Sequence, residues 1–99
     1  MSRPSPLSPG EIADRLESLP GWALSGSALR RDFVFADFSE SFGFMTRVAL
    51  AAEKLDHHPD WSNTWNRVTV ALSTHDAGGI TDLDFQLAGV MQRLMKKGE

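Results

Sequence analysis

Glu53-Lys54-Leu55-Asp56-His57-His58-Pro59 marks the point where the chain changes its hydrophobic period. Upstream the apolar residues recur at helical spacing. Downstream Trp61, Asn63 and Trp65 alternate with Ser62 and Thr64, as in a strand. Pro59 disfavours helical geometry at His58, so a helix running from about Ser39 is expected to end at His57, with the His58 ring leaving in another direction. Glu53 and His57 are four apart and are expected to share one helical face. Glu53 and the three histidines, His57, His58 and His75, are expected to line one small cavity. The unperturbed pKa of histidine lies nearest neutrality, so such a cavity can both donate and accept protons without a cofactor.

Around this junction the rest of the fold follows. In the preceding helix Phe42, Phe44, Met45, Val48, Ala49, Ala51, Ala52 and Leu55 cover about half the circumference at 100° per residue, wider than a one-sided stripe. One surface is expected to meet a sheet and the other a partner subunit, with Val48 and Ala51 as outward positions. Glu53 and His57 fall with Thr46 at the polar edge of this arc. Further upstream, Ser8-Pro9-Gly10-Glu11 reads as an N-cap, a first-turn proline and a capping-box glutamate, with Ile12, Leu16 and Leu19 as the apolar stripe. Pro20-Gly21 stops that helix. A hairpin is predicted next, with strands over Trp22–Ser25 and Ala28–Phe35 and a turn at Gly26-Ser27.

Downstream, a second hairpin is predicted with its turn at Asn66-Arg67, and Val68, Val70 and Leu72 on one face of its second strand. His75 is expected to end that strand on the face of Thr69 and Ala71. Gly78-Gly79 allow left-handed geometry in the following loop. A last helix is predicted from Thr81, with Leu83, Leu87, Val90, Met91 and Leu94 inward and Lys96, Lys97 and Gly98 closing it. The fold class is therefore α+β, in the order α-β-β-α-β-β-α: a four-stranded antiparallel sheet with three helices on one face. A single domain is expected over 8–99, preceded by a poorly ordered Pro- and Ser-rich segment over 1–7.

With 99 residues and 41% hydrophobic content the chain suits one modest core. A net charge of −3 gives no support to direct nucleic-acid or acidic-membrane binding. The absence of cysteine excludes disulfides and thiol catalysis and suits a reducing cytoplasm. No signal core or membrane-length apolar run is present, so a soluble intracellular protein is expected.

Imidazoles and a carboxylate are also zinc ligands, but adjacent helical residues diverge, His-x-x-x-His is absent and no thiolate is available, so no metal is expected. Taken singly, a helix-terminal histidine is also a favourable end to a helix dipole, and a strand-end histidine is ordinarily solvated. Asp84, three residues after Thr81, fits a helix cap and reads as structural before catalytic.

The run from Glu53 to Pro59, followed by Trp65, His75 and Asp84, resembles the signature of the pterin-4a-carbinolamine dehydratases. The likeness extends to Gly21-Trp22, to Phe42–Leu50 and to Leu72–His75. Many relatives carry tyrosine where Trp65 stands, so the phenolic hydroxyl is missing here. The resemblance implies elimination of water from a 4a-hydroxytetrahydropterin to give a quinonoid dihydropterin, as in recycling of a tetrahydrobiopterin-type cofactor. It implies proton transfer by His57 and His75, substrate binding by His58, Trp22 and Trp65, and tuning of His57 by Glu53, with Pro59 and Asp84 in support. The pterin is the substrate, so no separate cofactor is implied. A homodimer built by sheet extension, or a homotetramer built by helix packing, is implied as well, as is partnership with an aromatic amino acid hydroxylase. The alternatives are an acid–base enzyme acting on another pterin and a dimerisation cofactor of the kind family members provide to a transcription factor.

Overall fold

The computed structural model describes residues 4–97, with side chains through Met95. Helix α1 (Pro9–Leu16) starts from a reciprocal cap: the Ser8 hydroxyl accepts the Glu11 N–H at 3.2 Å, and the Glu11 carboxylate accepts the Ser8 N–H at 2.9 Å. These hydrogen bonds hold the Glu11 carboxyl below its usual pKa. The helix stops at Leu16, and a turn closed by Leu19 N–H to Leu16 C=O at 3.0 Å keeps Leu19 buried. Gly21 follows at φ +91°, where a Cβ would stand 2.9 Å from the Arg31 guanidinium carbon. That guanidinium donates to Pro20 C=O at 3.1 Å and lies over the Phe33 ring. Burial lowers its pKa.

Strands β1 (Ala23–Ser25) and β2 (Ala28–Val34) form the first hairpin about Gly26-Ser27. Helix α2 (Phe38–Leu55) begins at Asp37, whose carboxylate accepts the Glu40 N–H at 2.9 Å. Strands β3 (Asp60–Thr64) and β4 (Arg67–Leu72) make the second hairpin. A single 3₁₀ turn, His75–Ala77, leads to α3 (Asp82–Lys97). The four antiparallel strands lie in the order β1-β2-β4-β3, so the expected fold class and element order are observed. Leu29, Phe33, Val68, Val70 and Leu72 point to one side of the sheet. There they join Phe44, Val48 and Ala52 of α2 and Leu87, Ala88 and Met91 of α3 in one buried cluster. Each such large side chain contributes about 1.5–3 kcal/mol by leaving water. Among the described residues no helix is long and apolar enough to cross a membrane.

Several local expectations need correction. Asp56, at φ 51°, is left-handed and ends α2 before His57, so His57 does not share a helical face with Glu53. Val48 is wholly buried and Ala51 half-buried; the large outward apolar residues of α2 are Phe38, Phe42 and Leu50. The second turn falls at Trp65-Asn66, one residue early, with Trp65 at φ 52°. Strand β4 stops at Leu72, so His75 opens the 3₁₀ turn instead of ending a strand. In α3, Leu83 and Val90 are half-buried, and Phe85 and Ala88 take inward positions with Leu87 and Met91. Of the expected loose segment, 1–3 lie outside the described residues, whereas Leu7 donates its N–H to Ile80 C=O at 2.8 Å and packs on the core. Gly98, expected to close α3, also lies outside them.

Candidate active site

Where α2 ends, the left-handed turn at Asp56 throws His57 inward and leaves His58 on the surface. Pro59 then commits the chain to β3. Leu72 leaves the adjacent β4 at the same end of the sheet, and the loop after it is clasped by reciprocal backbone bonds between Thr74 and Gly79, of 3.0 and 3.3 Å. Within that loop His75 starts the 3₁₀ turn. His57, His58 and His75 consequently line one cleft of about 260 Å³, with Asp56, Pro59, Asp60, Ser73 and Asp76. A larger hollow of about 370 Å³ beside Phe35, Glu40 and Arg47 contains no histidine, so chemistry favours the smaller cleft.

The three rings differ sharply in surroundings. His57 is buried, and its Nε2 lies 2.6 Å from Oδ1 of a fully buried Asp84. The second oxygen of Asp84 accepts the Thr74 hydroxyl at 2.8 Å and the Thr81 N–H at 2.9 Å. His58 is exposed and its Nε2 lies 2.6 Å from Glu53 Oε1, also exposed. The expected Glu53–His57 pairing is therefore replaced by a Glu53–His58 pairing, because the turn at Asp56 exchanges the directions of the two rings. His75 is more exposed still, with Nε2 3.5 Å from Asp60 Oδ2. Asp84 joins both of its readings: its carboxylate caps the first turn of α3 and also holds a cleft histidine.

Neither expected aromatic reaches this cleft within the chain. Trp22 precedes β1, at the opposite sheet edge from β3, about 14 Å away at the usual strand spacing. It is buried edge-on to Phe33 at 5.9 Å, and its indole N–H has no partner among the described residues. Trp65 lies beyond the far end of β3, about 17 Å from Asp60 along an extended strand. Its backbone C=O accepts the Ser41 hydroxyl at 2.6 Å while its ring remains exposed. Sequence spacing missed Asp56, Asp60, Ser73 and Asp76 as cleft-lining residues. The available signal was their position immediately beside the histidines at the junctions of helix, strand and loop.

The family described as Pterin 4 alpha carbinolamine dehydratase matches residues 5–94 of the chain. A protein of Rhizobium johnstonii named "Putative pterin-4-alpha-carbinolamine dehydratase" is 56% identical over 88% of this chain and 88% of its own length. One of Mesorhizobium japonicum bearing the same name is 58% identical over 86% and 89%. A solved structure from Brucella melitensis, described as a transcriptional coactivator/pterin dehydratase, superposes with a TM-score of 0.89 at 46% identity, covering 92% of this chain and 99% of that one.

Proposed function

The chain belongs to the pterin 4 alpha carbinolamine dehydratase family, and on that premise we propose that it eliminates water from a 4a-hydroxytetrahydropterin by histidine acid–base catalysis. The observation carrying this reading is the convergence of His57, His58 and His75 on one cleft. The elimination removes the proton from N5 and the hydroxyl from C4a, forming the N5=C4a bond of a quinonoid dihydropterin and releasing water. It needs a base at N5, an acid at the departing oxygen and a surface that orients the bicycle.

In this proposal His57 is the base. Its Nε2 is engaged by Asp84, which leaves Nδ1 as the ring nitrogen for the cleft. His75 protonates the leaving hydroxyl. His58, steadied by Glu53, binds and orients the pterin, and Pro59 fixes the direction in which the chain leaves that pair. The electrons stay within the pterin, so the reaction requires no separate cofactor and no metal.

Such an activity belongs in the cytoplasm, downstream of an aromatic amino acid hydroxylase, in recycling of a tetrahydrobiopterin-type cofactor. The decisive assay follows dehydration of a freshly generated 4a-hydroxytetrahydropterin with and without protein, before and after dialysis against a chelator. Acceleration that survives dialysis is expected; a rate equal to the uncatalysed one overturns the proposal.

Self-association is proposed on a separate observation. Phe38, Phe42 and Leu50 are 50, 56 and 67% exposed along α2, and β1 and β3 form the two sheet edges. Pairing of edge strands and helix faces between copies would remove both from water. Light scattering is expected to show a homodimer or homotetramer at micromolar concentration; a stable monomer rejects the assembly.

A further inference from the structure

Asp84, Thr74 and Thr81 form a buried network whose donors can be counted. The Thr74 hydroxyl donates its single proton to Asp84 Oδ2 at 2.8 Å. Its 2.8 Å contact with the Thr81 hydroxyl must then be donated by Thr81. Thr81 Oγ1 in turn accepts the Leu83 N–H at 3.2 Å. The direction of the chain is thus set: Leu83 N–H to Thr81 hydroxyl, Thr81 hydroxyl to Thr74 hydroxyl, Thr74 hydroxyl to Asp84. Thr81 N–H supplies another donor to the same carboxylate oxygen, at 2.9 Å. As a carboxylate Asp84 can only accept, so its Oδ1 contact is donated by His57 Nε2, and the proton of a neutral His57 ring resides on Nε2 with the lone pair on Nδ1.

We infer that Thr74 is a positioning residue, whose hydroxyl orients Asp84 and thereby holds His57 in the Nε2–H tautomer that presents a basic Nδ1 to the cleft. Its backbone has a second task. Through the Thr74–Gly79 bonds it closes the loop on which His75, the next residue, is carried. One buried residue therefore fixes one histidine by its side chain and another by its main chain. Thr74 is only 1% exposed and makes no direct contact with the cleft, so it acts through Asp84 and His75.

The inference rests on the proposed dehydratase reading for its kinetic arm only. In uniformly ¹⁵N-labelled protein, long-range ¹H–¹⁵N correlation at a pH where the rings are neutral is expected to show His57 as the Nε2–H tautomer. Observation of the Nδ1–H tautomer in the unsubstituted chain overturns the inference whether or not any variant folds. Thr74→Val is expected to shift the His57 nitrogens toward tautomer averaging and to lower kcat roughly 10- to 100-fold, the loss of one hydrogen bond to a charged group, with KM within about twofold. Thr74→Ser, which keeps the hydroxyl, is expected to restore both. A folded Thr74→Val protein with an unshifted His57 tautomer sinks the inference, even if its melting temperature falls. Absence of dehydration by the unsubstituted protein removes the proposed function but leaves the tautomer measurement decisive for Thr74.

Discussion

The inner and outer walls of the cleft use the same chemistry, an imidazole beside a carboxylate, in opposite surroundings. His57 and Asp84 are 7 and 0% exposed at their side chains, whereas His58 and Glu53 are 56 and 77% exposed, yet both pairs span 2.6 Å. Distance alone therefore says little about the strength or purpose of either. In the interior an unmatched polar group is costly, and Asp84 is matched at both oxygens by the surrounding donors. That fixes one geometry. At the surface water competes for each group, so the Glu53–His58 pair can open for a ligand at small cost. In the proposed reaction, a base whose lone pair must face N5 benefits from the first arrangement, and a group that receives a substrate from the second.

The largest effect is expected from Asp84→Ala. It leaves the Thr81 N–H, the Thr74 hydroxyl and the His57 ring without their buried partner, and urea unfolding should show a loss of about 3–5 kcal/mol. Glu53→Ala should cost no more than about 1 kcal/mol in the same experiment. Equal losses would break the comparison. His57→Ala and His75→Ala should each slow turnover by roughly 10² to 10⁴ if each transfers a proton. Wild-type kinetics in a folded double variant would remove both from the mechanism.

His58→Ala sharpens the same contrast at lower amplitude. Its KM is expected to rise about tenfold with a smaller change in kcat, the signature of a lost binding contact in place of a lost proton carrier. A fall confined to kcat would instead assign His58 to the chemistry. The exposed face of α2 offers another surface test: Phe42→Glu should separate the proposed assembly while changing subunit stability by less than about 0.5 kcal/mol. Sedimentation unchanged by this substitution would place the interface elsewhere.

The smallest effect concerns Asp82, on the same turn as Asp84 but at the surface. Hydrogen bonds from Arg15 and Gln86 hold its carboxyl below the usual pKa, with the Arg15 contact at 2.5 Å. Because the folded value lies below the unfolded one, this stabilisation is present above the ordinary carboxylate pKa and is lost as pH falls through the folded value. Given its exposure, Asp82→Asn should flatten the acid decline in thermal stability by only a few tenths of a kcal/mol, about the scale of a surface pair. A decline as steep as in the unsubstituted chain would place the acid sensitivity on other carboxylates.

How much of this was legible depended on distance along the chain. Ser8 and Glu11 are three residues apart, and their reciprocal cap follows directly from residue type and spacing. The end of α2 was nearly readable: Pro59 predicts a stop, but the stop occurs earlier because Asp56 adopts a left-handed conformation, which aspartate tolerates better than most residues. That small displacement exchanged the partners of His57 and His58. The width of the apolar arc on α2 showed that it has two apolar surfaces, but periodicity does not say which one a sheet will cover, and Val48 proved inward. Trp22 and Trp65 matched a family signature by position, yet strand order places Trp22, and the length of β3 places Trp65, away from this chain's cleft.

By itself the sequence determined the alternation of helical and strand periods, the element order, the first helix cap and the gathering of two histidines at a helix end. These are consequences of nearest-neighbour sterics and hydrophobic spacing, which act over a few residues. Only the tertiary structure decided that His57 meets Asp84, 27 positions further on, and that Thr74 and Thr81 complete its surroundings. Those contacts arise when α3 packs beside the end of α2 and the loop after β4 is clasped at Thr74 and Gly79. Burial then turns a chance meeting of polar side chains into a requirement for mutual hydrogen bonding, a constraint that no local pattern encodes.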